Sequence, residues 1–194
     1  MIKKVLLSLS LILGVVTASA QASEHYTIDT EGMHAFVTFK INHLGFSWIE
    51  GRFNHFQGDF DFDEANPSNN RVNLDIDVAS IDTNHAERNK HLRSERFFDA
   101  KKFPRATFVS TAWEDLGDGN ATLKGEFTLR GITRPITIDV NQVGAGKDPW
   151  GGFRRGFVGT TTLHLSDYQM KEGGILGPLA EDIQLWLSVE GVRQ

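Results

Sequence analysis

Val72, Leu74, Ile76 and Val78 alternate strictly with Asn73, Asp75 and Asp77. A period of two marks a strand with one buried face and one wet face. The pattern recurs along the chain. Tyr26 and Ile28 open it; Ala35, Val37, Phe39 and Ile41 are separated by Phe36, Thr38 and Lys40; Phe60 and Phe62 are interleaved with Asp61 and Asp63, which read as facing out. Ala106 and Phe108 lie in a strand over 106–113, Ala121 to Leu129 alternates with Thr122, Lys124, Glu126 and Thr128, and Ile136, Ile138 and Val140 follow. Phe157, Gly159, Thr161, Leu163 and Leu165 make another strand, and Ile183, Leu185, Leu187 and Val189 the last. Between them, residues 43–50 read as an apolar turn around Gly45, 66–70 and 117–120 as plain turns, 130–134 as a hairpin turn and 144–156 as a glycine-rich loop.

About eight one-sided strands joined by short turns leave a sandwich or a closed barrel, an all-β fold in either case. The inward set is Val37, Phe39, Ile41, Phe60, Phe62, Leu74, Ile76, Phe108, Leu123, Gly125, Phe127, Ile138, Phe157, Gly159, Leu185 and Leu187. It is rich in phenylalanine, and it places two glycines where a filled core would want bulk. An eight-stranded barrel is wide enough to line one small ligand, so this set predicts a cavity, with Gly125 and Gly159 keeping the bore open. Bulges or bends at these glycines are the other reading.

One stretch breaks the alternation. Asn84 followed by Glu87 reads as a helix cap, residues 85–94 hold no Gly, Pro or β-branched residue, and Pro104 bars continuation, which predicts a short polar helix over about 84–96. Apart from Ala86, only Leu92 is apolar within it, so Phe97, Phe98 and Phe103 should anchor it across one end of the barrel. Arg88, Lys90, Arg93 and Arg96 crowd the helix against Glu87 and Glu95. They read either as a solvated face or as a rim where Arg93, with His91 or Arg96, meets a phosphate or quinone oxygen. Trp48 and Trp150 lie in turns that can flank an opening or touch a membrane, whereas Trp186 and Trp113 have outward parity.

Lys3 and Lys4, the apolar run from Val5 to Val16, and Thr17-Ala18-Ser19-Ala20-Gln21-Ala22 form a signal peptide, cleaved after Ala20 or Ala22. A single mature domain over 23–194 is expected in a bacterial periplasm. Removing two lysines and no acid takes the formal charge from −5 to −7. That argues against nucleic acid and anionic lipid surfaces as partners. With no cysteine, stability rests on the core alone, for which roughly 170 residues suffice.

Other chemistries fit less well. His85 and His91 lack the i,i+4 spacing of a helical metal pair, and His25, His34, His43, His55 and His164 are scattered, so no metal is expected. Asp82, His85, Ser80 and Ser94 can be drawn as a hydrolase triad, but Asp82-Thr83-Asn84 is more simply a strand end and cap. Gly144-Ala145-Gly146-Lys147 lacks the Ser/Thr and helix start of a phosphate loop, since Asp148-Pro149 follows.

His34-Ala35-Phe36-Val37, His43-Leu44-Gly45, Asp82-Thr83-Asn84, His91-Leu92-Arg93-Ser94, Phe97-Phe98, Phe103-Pro104, Gly131-Ile132-Thr133, Asp148-Pro149-Trp150-Gly151-Gly152 and Val189-Glu190-Gly191-Val192, in this order, resemble the YceI family of periplasmic polyisoprenoid-binding proteins. The resemblance implies a lipocalin-like, extended eight-stranded antiparallel barrel whose apolar pocket holds a long isoprenoid chain of a quinone or prenyl phosphate. It implies a binding protein with no catalytic residue and no cofactor beyond the lipid, its head group met at a mouth for which His91, Arg93, Trp48 and Trp150 are the candidates. At roughly 0.8 kcal/mol per buried CH₂, a tail of about forty carbons would exceed the ceiling of observed affinities. The relevant alternative is a bilayer, already apolar, so transfer is near neutral and the protein acts as an exchange carrier or buffer, with transient membrane contact. Oligomeric state stays open, a dimer included. The rival reading is an envelope enzyme using the His, Arg and Asp residues of the insert on a small metabolite.

Overall fold

The computed structural model describes residues 23–170 and 180–194, so the leader read in residues 1–22 lies outside the described residues. The strands are β1 (Glu24–Ile28), β2 (Phe36–His43), β3 (Ser47–Phe53), β4 (Phe56–Phe62), β5 (Arg71–Asp77), β6 (Ile81–Asp82), β7 (Arg105–Gly117), β8 (Asn120–Leu129), β9 (Ile132–Lys147), β10 (Phe153–His164) and β11 (Asp182–Arg193). Helix α1 spans Ala86–Arg93. Hydrogen bonding runs β1-β4-β5-β7-β8-β9-β10-β11, and β11 returns to β1, which closes the sheet into an eight-stranded antiparallel barrel. The extra strands are the second halves of three bent strands. β1 and β2 both lie along β11, through Thr27↔Val192 and Val37↔Leu187, while β3 continues into β4 and β5 into β6.

Backbone accounting explains the bends. After the Asp29 N–H reaches the Glu190 carbonyl, the chain loops out until the His34 N–H returns to the Asp29 carbonyl. At the second bend, Asn54 N–H donates to the Ser80 carbonyl and His55 N–H to Ser80 Oγ. Ser80 belongs to the 3₁₀ turn Val78–Ser80, whose Ala79 N–H is capped by the Asp77 carboxylate. Two neighbouring strands therefore bend together, with the N–H groups of Asn54, His55 and Ala79 answered across the bend.

The structure corrects several boundaries. The turn expected over 43–50 shrinks to the tip between β2 and β3, where Leu44 and Gly45 both adopt positive φ, and Ser47 to Glu50 are strand. Most of the expected glycine loop is also strand: Gly144 pairs with Gly156 and Gly146 with Arg154, leaving a loop of 148–152. Asp63 does not face out. It is buried, its carboxylate taking the Asn66 N–H and the Asn69 amide. Trp113 faces in, because a bulge between Ser110 and Ala112 adds a residue and reverses the parity beyond it.

The polar helix exists but is shorter. Its cap is His85, whose Nδ1 accepts the Arg88 N–H, while Asn84 sits at φ 58° in a turn closed on the Asp82 carboxylate. It stops at Arg93 and not near Arg96, because Ser94 is extended and the carbonyls of Leu92 and Arg93 are taken by the N–H groups of Phe98 and Ala100. Docking is by hydrogen bonds. Buried Asn89 accepts both the Thr83 N–H (2.8 Å) and hydroxyl (2.6 Å) and donates to Asp82, and Arg88 reaches the Thr83 hydroxyl and carbonyl. A helix without an apolar stripe can thus sit on a barrel edge.

Candidate functional site

The middle of the barrel interior is apolar. Val37, Ile76, Phe108, Leu123, Phe127, Leu163 and their neighbours form one buried cluster, and Tyr26, Ile28, Ala35 and Phe60 a second. Between the walls lies a cavity of about 130 Å³. Every residue of the inward set lines it except Ile41 and Gly125. Ile41 packs against the core near the end of β2. Gly125 does not open the bore, since a side chain there would collide with the Phe108 ring and sit 2.6 Å from the Val109 carbonyl oxygen. The glycine exists because a phenylalanine covers it, as Phe39 covers Gly51 across the β2–β3 pair. Gly159 does line the cavity, its added Cβ meeting Ile138 Cγ2 at 3.0 Å.

One end of the cavity is plugged by the segment after α1. Phe98 is buried, borders the cavity and meets Phe53 edge-on at 6.1 Å. Phe103 lies against Gly131 in the β8–β9 turn, and the adjacent Arg130 donates to the Phe97 carbonyl. Tyr168, in the 3₁₀ turn Leu165–Tyr168 after β10, meets Phe127 edge-on; it is buried, its hydroxyl has no partner among the described residues, and burial raises its pKa to about 12. Toward the opposite end, Phe60, Phe62, Trp113 and Phe157 touch one another with centroid separations of 5.6–6.0 Å. Phe62 and Trp113 also line a second, polar hollow of about 190 Å³ outside them. A wider groove of about 970 Å³ runs over outer strand faces past Thr38, Lys40, Arg52 and Trp186, with solvent on its open side.

The residues read as a mouth do not come together. Trp150, in the β9–β10 loop, is at the opposite end from the other three and stacks on Arg154 at 5.3 Å. His91 packs edge-on against Phe97, and Trp48 lies under Lys40. Arg93 spends its donors on the carbonyls of Ala79 (2.7 Å) and Ile81 (3.0 Å), so it clamps the helix to the barrel edge. The candidate triad is likewise dispersed: Asp82 takes Asn84 and Asn89, His85 caps α1, Ser80 donates to the Asp77 carbonyl and Ser94 to the His91 carbonyl.

Two arginines that the pattern did not single out organise the Trp150 end. Arg154 binds Asp29 (2.6 Å), Asp148 (2.9 Å) and Glu190, tying three segments of chain together. The Arg154 hydrogen bond holds the Asp29 carboxyl at about 2, helped by His34 and the Gly32 N–H. Burial tends to raise Asp148, but the Gly152 N–H, the Arg154 guanidinium and the Trp150 N–H outweigh it and lower its pKa. Asp29, His34 and Glu190 have metal-ligand types in reach of one another. The oxygens facing inward are those already neutralised by the guanidinium, so the cluster is an ion-pair knot. Arg155 is buried, points inward, lies 4.0 Å from the Phe62 ring centroid and donates to Gln142 Oε1 at 2.9 Å.

A YceI-like domain model matches residues 26–191. A UPF0312 protein of Pseudomonas aeruginosa (strain LESB58) is 50% identical over 194 residues, the whole of both chains. The YceI protein of Campylobacter jejuni superposes with a TM-score of 0.72 at 28% identity, covering 79% of this chain and 90% of that one. A polyisoprenoid binding domain from Saccharophagus degradans, implicated in plant cell wall breakdown, has the same fold, with a TM-score of 0.61 at 17% identity over 87% of this chain and 98% of that one. The domain match over most of the chain and the identity of one residue in two along a whole relative show the same thing: this chain belongs to the YceI-like family.

Proposed function

We propose that the barrel is a periplasmic carrier for a long-chain isoprenoid lipid, exported by its N-terminal leader, whose prenyl tail occupies the bore. The observation that carries this reading is the cavity itself, walled by Phe, Leu, Ile and Val from all around the barrel. Such a lining offers a hydrocarbon chain dispersion contacts, and its two polar residues are engaged elsewhere, Asp61 with His25 and the Thr161 hydroxyl with the Thr137 carbonyl. The isoprenoid named for the Saccharophagus relative supports the choice of tail. A prenylated quinone is the favoured cargo. Transfer from a bilayer exchanges one apolar surrounding for another, so the free-energy change is small and loading can reverse, as a shuttle requires.

The test is extraction. Protein produced with its leader and purified from the envelope without detergent should release a prenylated lipid visible by mass spectrometry. Delipidated protein should rebind it with a change in Trp113 fluorescence, since that indole borders the cavity. A lipid-free extract together with an unchanged spectrum on adding prenyl probes would end the carrier reading. Turnover of a small metabolite, abolished in His85→Ala, would put the enzyme reading in its place.

A further inference from the structure

Asn70, at the wall of the polar hollow outside Phe62 and Trp113, carries a buried hydrogen-bond donor that no described residue answers. Asn70 is 1% exposed; its Oδ1 accepts the Asp63 N–H at 2.6 Å, which fixes the orientation of the amide, and its Nδ2 has no partner among the described residues. A buried NH₂ without an acceptor costs free energy that an arriving acceptor recovers. Gln142 lines the same hollow and gives its oxygen to Arg155, so its NH₂ is the end it can offer. The charged side chains of the lining are Glu64, Asp115 and Asp118, with no Lys, Arg or His among them. The nearby cation is spent: Arg155 donates to Gln142 and Tyr26, with Glu24 3.9 Å away.

We infer that this hollow is the head-group site of the carrier, with Phe62 and Trp113 as the shutter between head and tail, and that it selects a neutral acceptor head such as a quinone carbonyl over a phosphate. The inference rests on the isoprenoid reading and adds the head-group chemistry to it. Amide donors from Asn70 and Gln142 suit a carbonyl oxygen lone pair. Three carboxylates around the hollow repel a diphosphate, whose charge would also have to be desolvated beside apolar rings. Phe62 and Trp113 stand edge to face at 88°, and both border the two spaces, so a tail whose head sits in the hollow reaches the bore past them.

The experiment compares three probes sharing one geranylgeranyl-type tail: menaquinone-4, geranylgeranyl diphosphate and the headless hydrocarbon phytane. Each is titrated against delipidated protein by Trp113 fluorescence. Wild type should bind the quinone roughly tenfold or more tighter than the diphosphate. Asn70→Asp, which keeps Oδ1 for the Asp63 N–H and removes the donor, should weaken the quinone about three- to tenfold and leave phytane unchanged. Because that substitution places a second carboxylate in the 63–70 turn, a second arm leaves the turn's hydrogen bonds alone: the triple variant Glu64→Gln, Asp115→Asn, Asp118→Asn should strengthen the diphosphate about tenfold without moving the quinone. Equal affinities for quinone and diphosphate in wild type, or a triple variant that changes neither, would overturn the head-group assignment while leaving the carrier intact. Binding of none of the three would overturn both.

Discussion

Phe98 gives the sharpest test of the closed end. The ring is 8% exposed, packs edge-on to Phe53 and forms part of the cavity wall, and its own N–H holds the Leu92 carbonyl at the end of α1. Phe98→Ala keeps that backbone bond and removes the ring alone. A buried Phe→Ala change costs about 3–5 kcal/mol, part from lost transfer and part from the void. Here the ring already borders an open space of about 130 Å³, so one side of it forfeits few contacts and the lower figure applies, about 3 kcal/mol. With a urea slope of about 2 kcal/mol per molar, the unfolding midpoint should fall by roughly 1.5 M. Phe97→Ala supplies the control, because that ring is only part-buried and leans on His91; its cost should be about 1 kcal/mol. Urea unfolding followed by far-UV circular dichroism measures both. Equal midpoints for the two variants would refute the plug, since residues 94–103 would then be a surface excursion and the cavity would have no floor there.

Three further outcomes follow from particular contacts. Asn89→Ala strips the buried Thr83 N–H of its acceptor and should lower stability by about 2 kcal/mol in the same assay, more than the exposed Lys90→Ala. The Asp29 carboxyl titrates at about 2 in the folded protein against 3.8 ordinarily, so its contribution is complete above the ordinary value and is lost as pH falls toward 2; Asp29→Asn should flatten melting temperature against pH over that window, and an unaltered acid limb would exclude the Arg154 knot as its cause. Gly125→Ala should cost about 1–3 kcal/mol through collision with Phe108 and a backbone carbonyl, whereas Gly159→Leu should keep most stability but weaken prenyl binding at least tenfold by filling the bore; the reverse pattern in paired denaturation and binding titrations would mean the two glycines have been misassigned.

The alternation of apolar and polar residues made the barrel and its lining legible, because a strand in a closed sheet has one inside and parity identifies it. It failed where the chain changes parity without changing composition. The bulge at residues 110–112 turns Trp113 inward, and nothing in Ser110-Thr111-Ala112 announces an extra residue. Glycine at inward parity was ambiguous for a related reason: Gly159 borders the cavity between Ile138 and Leu187 whereas Gly125 lies under a ring, and the cross-strand register of Phe108 separates them. Arg93 reads as a rim cation because carbonyl acceptors carry no sequence signature, yet Ala79 and Ile81 are its partners. Asn70 sits in a run of Asn, Pro and Ser that is a turn on any pattern; that its amide is buried and unanswered depends on where strands β4 and β7 pass.

The size of the cavity carries the last expectation. A void of about 130 Å³ is close to the roughly 150 Å³ of an engineered cavity that admits benzene. The resting bore therefore holds about one isoprene unit, and a longer tail must move side chains. The β1–β11 pairing closes the sheet and resists widening of the strands, so the rings of Phe60, Phe62, Phe157 and Trp113 are the parts expected to move. Each ring pair is worth about 0.5–1.5 kcal/mol beyond its area, a cost that contacts with the entering tail offset. Loading should then depend on length in two stages. With Trp48, Trp150 and Trp186 replaced by Phe, emission from Trp113 should hardly respond to a prenyl alcohol of one unit, which fits the void as it stands. From two or three units onward the emission should shift as the rings rotate, and affinity should rise with each added unit until the bore is full. A shift already complete with one unit would mean that the rings are not the reservoir of space. No shift at any length would mean that the tail lies elsewhere on the protein.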